Sequence, residues 1–305
     1  MSDAIVNPRE LLGRLAHELP AELHDQVFVA GSLAAACHHA ARLLGGGVRT
    51  KDADLVVRPA GNTIGAQAIA RRLRALGWRP RTEGALPPGT ADTPADQLPA
   101  IRLYPPDHND YFVELLIVPG VERPGAKPWL HVELEDGWYG LPGFEFLALT
   151  EVGRVPFGGL FYAHPSMMAL ANLLSHRALS DHTMSSPIGG RPDVHRHAKD
   201  LGRVLALAHL ESRAEMETWE MRWLEGLRLV FPQRWPELAG TVGDGVRALL
   251  VDPTFDEALH CCQVGLLAGT GVSEANLRAT AERVFVDVIE PVEAAGRGAS
   301  VGSRP

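Results

Sequence analysis

The chain predicts an α+β protein: a mixed β-sheet with flanking helices over residues 1–160, followed by a helical C-terminal domain over 161–292 and a disordered tail at 293–305. Three observations carry this division. Up to about residue 160, short apolar runs of strand length alternate with amphipathic helical stretches. From His164 onward, six stretches show helical spacing of their apolar residues, and loops bearing Pro or Gly separate them. The last residues, AAGRGASVGSRP, are small and polar with no apolar periodicity.

The elements follow in order. Residues 8–19 carry apolar side chains at helical spacing, with Pro8 suited to a first turn. Residues 26–30 read as the first strand, 33–44 as a helix stopped by Gly45-Gly46-Gly47, and 52–57 as the second strand. An arginine-rich amphipathic helix is expected over 63–76, closed by Gly77. Residues 84–99 are rich in Pro, Gly, Thr and Asp and read as a loop. Runs 101–104 and 111–118 look like the two arms of a hairpin, and an extended region follows in which 129–135 is the strand. The C-terminal helices are expected over 165–179, 194–212, 214–230, 236–250, 254–268 and 273–290.

Composition narrows the function classes. A chain of 305 residues can bury a sizeable core, and its 46% hydrophobic and 22% charged content is that of a soluble globular protein. No apolar run reaches the roughly 18–20 residues of a membrane span, and the N-terminus lacks the basic start and apolar core of a secretory signal, so a cytoplasmic protein is expected. A net charge of −8 excludes a global basic field for nucleic acid but leaves room for a local patch. Cys37 and the adjacent Cys261 and Cys262 form no disulfide framework and have no zinc spacing.

Chemistry concentrates in residues 28–57. A short strand runs into Gly31-Ser32, a helix follows, and the chain returns through Arg49-Thr50 to Asp52 and Asp54. Alternation along a strand puts both aspartates on one face and Ala53 and Leu55 on the other. Two like charges so close repel unless a cation sits between them, and carboxylate oxygens are the ligands Mg²⁺ prefers. Gly31 lets backbone approach a ligand, and the amides opening the next helix can face a phosphate; Ser32 as a plain helix cap is the other reading.

Glu114 stands in YFVELLIVPG, where all its neighbours are apolar or aromatic. A carboxylate buried there needs compensation, from an arginine or from a metal; a strand-edge glutamate facing solvent is the other reading. Together with Asp52 and Asp54 it makes three carboxylates on two strands, a set able to hold two divalent ions for phosphoryl or nucleotidyl transfer. A third cluster is HRHAKDLGR, where Arg196, Lys199 and Arg203 form one basic stripe if helical, with Leu201, Val204, Leu205 and Ala208 on the buried side. The stripe could face nucleotide phosphates, with Asp200 orienting Lys199, or simply be a solvated face. His195 and His197 are two apart and point away from each other on a helix, so they do not share a metal. No dinucleotide-binding glycine motif, Walker loop or nucleophile elbow is present, and His38 and His39 read as surface or packing residues.

These residues resemble a known family. Gly31-Ser32, a helix, and then Arg49-Thr50-Lys51-Asp52-Ala53-Asp54-Leu55 looks like the signature of the DNA polymerase beta-like nucleotidyltransferase superfamily, nearest to the AbiEii-type toxins of abortive-infection toxin–antitoxin systems. Lys199-Asp200-Leu201 is similar to the Lys-Asp helix of that branch, and Glu114 falls where the family has its third acid, often Asp. The match covers about residues 28–57, 111–118 and 195–205.

The resemblance implies a nucleotidyltransferase-like sheet and a Mg²⁺-dependent transfer of a nucleoside monophosphate from an NTP to an acceptor hydroxyl. Asp52 and Asp54 would bind two Mg²⁺, and Glu114 would complete the second site and help deprotonate the acceptor. Gly31 and Ser32 would hold the β- and γ-phosphates, with Lys199, Arg49 and Thr50 lining the nucleotide. The acceptor is left open among small molecule, protein and tRNA, and an antitoxin protein becomes an expected partner. The competing expectations are a nucleotide-binding or interaction protein that kept this fold without turnover, and a structural α/β domain with a solvent-exposed Asp-x-Asp.

Overall fold

The computed structural model describes residues 5–43, 47–82, 86–118, 129–184 and 186–302. Half of the chain, 50%, is helical and 18% is strand, which makes it mixed α+β. In chain order the elements are β1 (Ile5–Val6), α1 (Pro8–Glu18), α2 (Ala21–His24), β2 (Val27–Val29), α3 (Gly31–His38), β3 (Val48–Arg49), β4 (Asp52–Val57), α4 (Thr63–Ala75), β5 (Arg79–Pro80), β6 (Arg102–Tyr104), β7 (Phe112–Ile117), β8 (Trp129–Leu134), β9 (Gly137–Pro142), β10 (Val155–Phe157) and β11 (Leu160–Tyr162). The helices α5 (Pro165–Ser175), α6 (Arg196–Leu210), α7 (Arg213–Met216), α8 (Trp219–Val230), α9 (Trp235–Gly240), α10 (Asp244–Val251), α11 (Phe255–Val264), α12 (Glu274–Val284) and α13 (Glu290–Gly302) follow. Two compact units result, one built mainly from residues 3–37 and 50–163, the other from 38–49 and 164–305.

The first unit is organised by a seven-stranded sheet in the order β10-β11-β2-β4-β7-β6-β5. Strand β4 lies in the middle, antiparallel to β2 and parallel to β7. The expected hairpin partners β6 and β7 are adjacent and antiparallel. Leu55, Val56 and Val57 of β4 and Leu115 and Ile117 of β7 are buried, as a central pair covered on both faces requires. Helix α4 contributes Ile69 and Leu73 to the core, and α1 contributes Leu12 and Leu15. Asn7 caps α1 by accepting the Arg9 and Glu10 amides, and Asn62 caps α4 through the Gly65 amide.

Two hairpins lie outside the sequence expectations. Strands β10 and β11 are joined by Gly158-Gly159, with φ of +58° and +98°, the backbone a two-residue hairpin turn demands. Strand β9 pairs with the expected β8. The helix expected over 33–44 begins earlier, at Gly31, and ends at His38. The chain then turns, and His39 goes inward and is buried. The glycine break invoked for that helix falls largely on residues 44–46, and part of the 84–99 loop on 83–85, outside the described residues.

The second unit is helical. Helix α6 is its central element: Leu201, Val204, Leu205 and Ala208 are buried as the sequence stripe required. The 214–230 stretch divides into α7 and α8, and 236–250 into α9 and α10. The second break falls at Gly243, whose amide donates to the Glu293 carboxylate at 3.1 Å.

That bond also explains a correction. Residues 293–302 are helical, not disordered. Val292 and Glu293 are buried, Arg247 pairs with the Glu293 carboxylate, and Gly296 lies so close to α9 that a Cβ there would meet the Pro236 carbonyl at 2.6 Å. The small residues that read as disorder are the ones that let two helices approach closely. A π turn at Phe285–Ile289 joins α12 to α13 just before Pro291, which has no N–H to give.

Among the described residues no helix is long and apolar enough to cross a membrane. The three cysteines are free thiols; Cys37 and Cys262 are buried, and burial pushes Cys37 up to about 11.

Candidate functional site

The site is built where β4 outruns β2. The two strands pair from Val27↔Val57 to Val29↔Leu55, and the Ala30 amide then donates to the Asp54 carbonyl at 2.9 Å. At Gly31 the chain turns away with φ +68° and enters α3. A Cβ on Gly31 would fall 2.3 Å from Asp54 Oδ2, so the backbone at this turn lies directly against the carboxylate. Glycine is required twice, by dihedral angle and by space.

On its other side β4 pairs in register with β7, which sets Asp54 beside Glu114. Asp52, two residues earlier, shares their face. One carboxylate oxygen from each of Asp52, Asp54 and Glu114 lies within 4.8 Å of the other two. Asp52 is exposed and the other two are half-buried, so the group opens to solvent at the Asp52 end. The Thr50 hydroxyl lies 2.9 Å from the Asp52 carbonyl and 3.0 Å from its Oδ1. Thr50, expected to line the nucleotide, is buried and bonded to Asp52.

Sequence reasoning left open whether an arginine or a metal compensates Glu114. The fold supplies the arginine and keeps the carboxylate in the acid cluster as well. Arg102 pairs with Glu114 across the β6–β7 ladder and donates from Nη2 to Oε1 at 2.9 Å. Burial pushes the Glu114 carboxyl up, the Arg102 guanidinium works against it, and the Asp52 charge adds to the rise.

Just past the end of β5, the Arg81 amide bonds the Arg102 carbonyl, so Asp54, Glu114 and Arg102 form a row across three strands that continues to Arg81. The Arg81 guanidinium stacks 4.6 Å from the Phe112 ring centroid, and that of Arg102 lies 5.7 Å from it. The Nε atoms of both arginines are buried with no hydrogen-bond partner among the described residues. Sequence reasoning missed both. The available signal was a lone charge in the apolar run IRLY, the mirror of Glu114 in its own run.

The remaining predicted residues are placed as follows. Ser32 is the second residue of α3 and half-buried. Arg49 is exposed on β3 and Lys199 is half-buried on α6; both belong to the second unit. Asp200 does not hydrogen-bond Lys199; its Oδ2 lies 2.9 Å from His176 Nε2 and 3.6 Å from Arg196 Nε. Burial opposes its charge, but the His176 bond and the Arg203 and Lys199 charges hold its carboxyl well below the usual range. His195 is engaged by Glu257 and His197 by the Ser180 carbonyl. A cavity of about 340 Å³ lined by Asn7, Glu10, Arg14, Asp107 and Tyr111, among others, includes none of the predicted site residues.

The donor set suits a hard divalent cation. Carboxylate oxygens cluster at an exposed end, and Mg²⁺ takes one or two carboxylates and keeps several waters. The second oxygen of Glu114, the one Arg102 does not hold, is left for that role.

No family model matches the chain, and no curated protein matches it. Among solved structures it is similar to JHP933 from Helicobacter pylori, at 10% identity and a TM-score of 0.34, over 99% of this chain and 100% of that one. A likeness so slight carries no argument about fold or activity.

Proposed function

We propose that the protein is a Mg²⁺-dependent nucleotidyltransferase that moves a nucleoside monophosphate from an NTP to an acceptor hydroxyl. The observation that carries this reading is the in-register pair Asp54 and Glu114 with Asp52 beside them, abutted by the Gly31 turn. Asp52, Asp54 and Glu114 are the residues that would hold Mg²⁺, which when bound supplies charge neutralisation for a triphosphate and for the developing oxyanions.

The chain's own groups have distinct work. Gly31 and Ser32 present backbone amides and a hydroxyl to the β- and γ-phosphates at the opening of α3. Thr50 fixes Asp52, and Arg102 fixes Glu114. The acceptor oxygen attacks the α-phosphorus in line, the bond to the bridging oxygen breaks, and pyrophosphate leaves. The acceptor proton passes to Glu114, whose raised pKa suits it to take one. Arg81 and Arg102 offer cationic charge to the polyphosphate on the same sheet face. NTPs are intracellular metabolites, so this reading implies a cytoplasmic enzyme. The acceptor class is left among small molecule, protein and tRNA, and an AbiEii-like role with an antitoxin partner is one setting for it.

Incubation with each α-labelled NTP and Mg²⁺ tests the reading. Label transfer or pyrophosphate release that disappears in Asp52→Asn and Asp54→Asn supports it; none under any acceptor counts against it. The Arg102–Glu114 ion pair also favours a second reading, a nucleotide-binding protein without turnover, because a carboxylate already neutralised is a poorer base. Calorimetry separates the two: NTP binding without product supports the second, and no binding removes both.

A further inference from the structure

A second group of ligand-type side chains lies in the helical unit, and nothing in the nucleotidyl-transfer reading uses it. His38 ends α3, His39 follows, and Glu211 caps the C-terminus of α6. One ligand atom from each lies within 4.8 Å of the other two. His39 is 4% and Glu211 7% exposed.

Two buried atoms of this group, His39 Nε2 and Glu211 Oε2, have no hydrogen-bond partner among the described residues. They face each other at 3.8 Å, too far for a hydrogen bond. Leaving two buried polar atoms unsatisfied costs about 1–3 kcal/mol each, so such pairs need an explanation. A water within about 2.8 Å of both atoms would have to hold them at a sharp angle. A tetrahedral Zn²⁺ with ligands at roughly 2.0–2.1 Å separates them by about 3.3 Å, so the two side chains need to close by about 0.5 Å to share one.

The surroundings aim the ligands. The Ser212 amide donates to Glu211 Oε1 at 3.1 Å, which turns Oε2 toward His39. The Arg42 guanidinium bonds the Leu210 carbonyl and ties the turn after His39 to the residue preceding Glu211. The His164 ring stands edge-on to His38 at 5.1 Å, with its Nδ1 already engaged by Ser166. Supports of this kind, one layer behind the ligands, are what fixes a metal site.

We propose that His38, His39 and Glu211 form a zinc-class metal site, with two imidazoles and one carboxylate as ligands and water in the fourth position. The ion joins the turn after α3 to the end of α6 and satisfies the two orphaned atoms. The site is independent of the acid cluster and of the nucleotidyl-transfer reading.

The test uses the full chain carrying Asp52→Asn and Asp54→Asn, which removes the acid cluster as a competing site. Zinc content after dialysis is measured by elemental analysis, Zn²⁺ affinity by chelator competition, and geometry by the visible spectrum of the Co²⁺-loaded protein. One Zn²⁺ per chain, a tetrahedral Co²⁺ spectrum and a melting point raised by Zn²⁺ but not by Mg²⁺ are expected. Glu211→Gln keeps size and shape, and loss of a ligand should weaken Zn²⁺ by at least about 100-fold. His39→Ala should abolish the Co²⁺ spectrum. If His39→Ala fails to fold, Glu211→Gln decides alone. Less than about 0.2 Zn²⁺ per chain, or affinity unchanged in Glu211→Gln, overturns the proposal whatever the outcome for NTP transfer.

Discussion

Asp54 and Glu114 are a register pair of the parallel β4–β7 ladder, so two carboxylates occupy neighbouring positions on one face of the sheet. Their mutual repulsion and that of Asp52 have an obvious remedy in a cation, and the first prediction follows from it. Asp52→Asn and Asp54→Asn should each lower NMP transfer by several kcal/mol of transition-state stabilisation, roughly a thousandfold or more. The metal-free proteins should melt at the same temperature as the parent or higher. A melting curve run with and without Mg²⁺–NTP, beside the transfer assay, checks both halves. A fall in melting temperature without ligand would remove the repulsion argument.

Gly31→Ala asks whether the turn and the acid are one unit. The new methyl group would meet Asp54 Oδ2 at 2.3 Å in a left-handed backbone, so the carboxylate must move. A cost of about 1–2 kcal/mol in stability is expected from the dihedral alone, with loss of transfer exceeding that of Ser32→Ala. Denaturant midpoints and transfer rates for the two variants give the comparison.

The two arginines should behave differently. Arg102→Leu leaves Glu114 half-buried and unpaired, which costs about 1–3 kcal/mol. Because an acid whose pKa is raised in the folded state is best tolerated protonated, that loss should be smallest at low pH and grow as pH rises through and above the ordinary glutamate range. Arg81→Leu breaks no ion pair among the described residues, so its effect should fall on NTP affinity, by about tenfold, more than on stability. Urea titrations across pH and NTP-binding isotherms tell them apart.

His164 gives a pH signature of the helical unit. It caps α5 by accepting the Ser166 amide at Nδ1, and burial, helped by the Arg222 and His38 charges, lowers it to about 4. The unfolded chain binds the proton near pH 6.5 and the folded chain does not. Stability from this group is therefore complete above 6.5 and is lost as pH falls toward 4, by up to about 1.4 kcal/mol per pH unit. His39, pushed down to about 3 mainly by burial, adds in the same direction. His164→Asn keeps a capping side chain and should flatten the slope by one proton, measured in chelator.

The C-terminal helix can be removed to measure its contribution. Ending the chain at residue 290 would leave the Gly243 amide and Arg247 without their Glu293 partner. A melting point several degrees lower is expected from a loss of about 2 kcal/mol. An unchanged melting point would mean that α13 is dispensable.

What could be read from the sequence follows what is local. Asp52 and Asp54 share a face because strand periodicity is a property of neighbours, and α1, β4, α4 and α6 were legible from the same short-range patterns. Glu114 announced itself as a charge without apolar excuse. Its partner did not, because the Arg102 pairing depends on a register that one run cannot encode. His39 and Glu211 are far apart in the chain, so no short-range pattern shows that they meet. The β10–β11 turn carries an ordinary hairpin signal, Gly158-Gly159 between VPF and LFY, and is as local as the strand periodicity. The helix α13 failed for a physical reason: glycine and alanine serve a loose chain and a close helix contact equally well.

The end of β2 at Val29 has a mechanical consequence for β4. From Leu55 to Val57 the strand is clamped by neighbours on both sides, while beyond Asp54 toward Asp52 the β2 side gives way to the Gly31 turn. Amide protons should therefore exchange by global unfolding at Leu55 and Val57 and through smaller openings nearer Asp52. The same strand is held on both sides at its Leu55–Val57 end and on the β7 side alone at its Asp52 end.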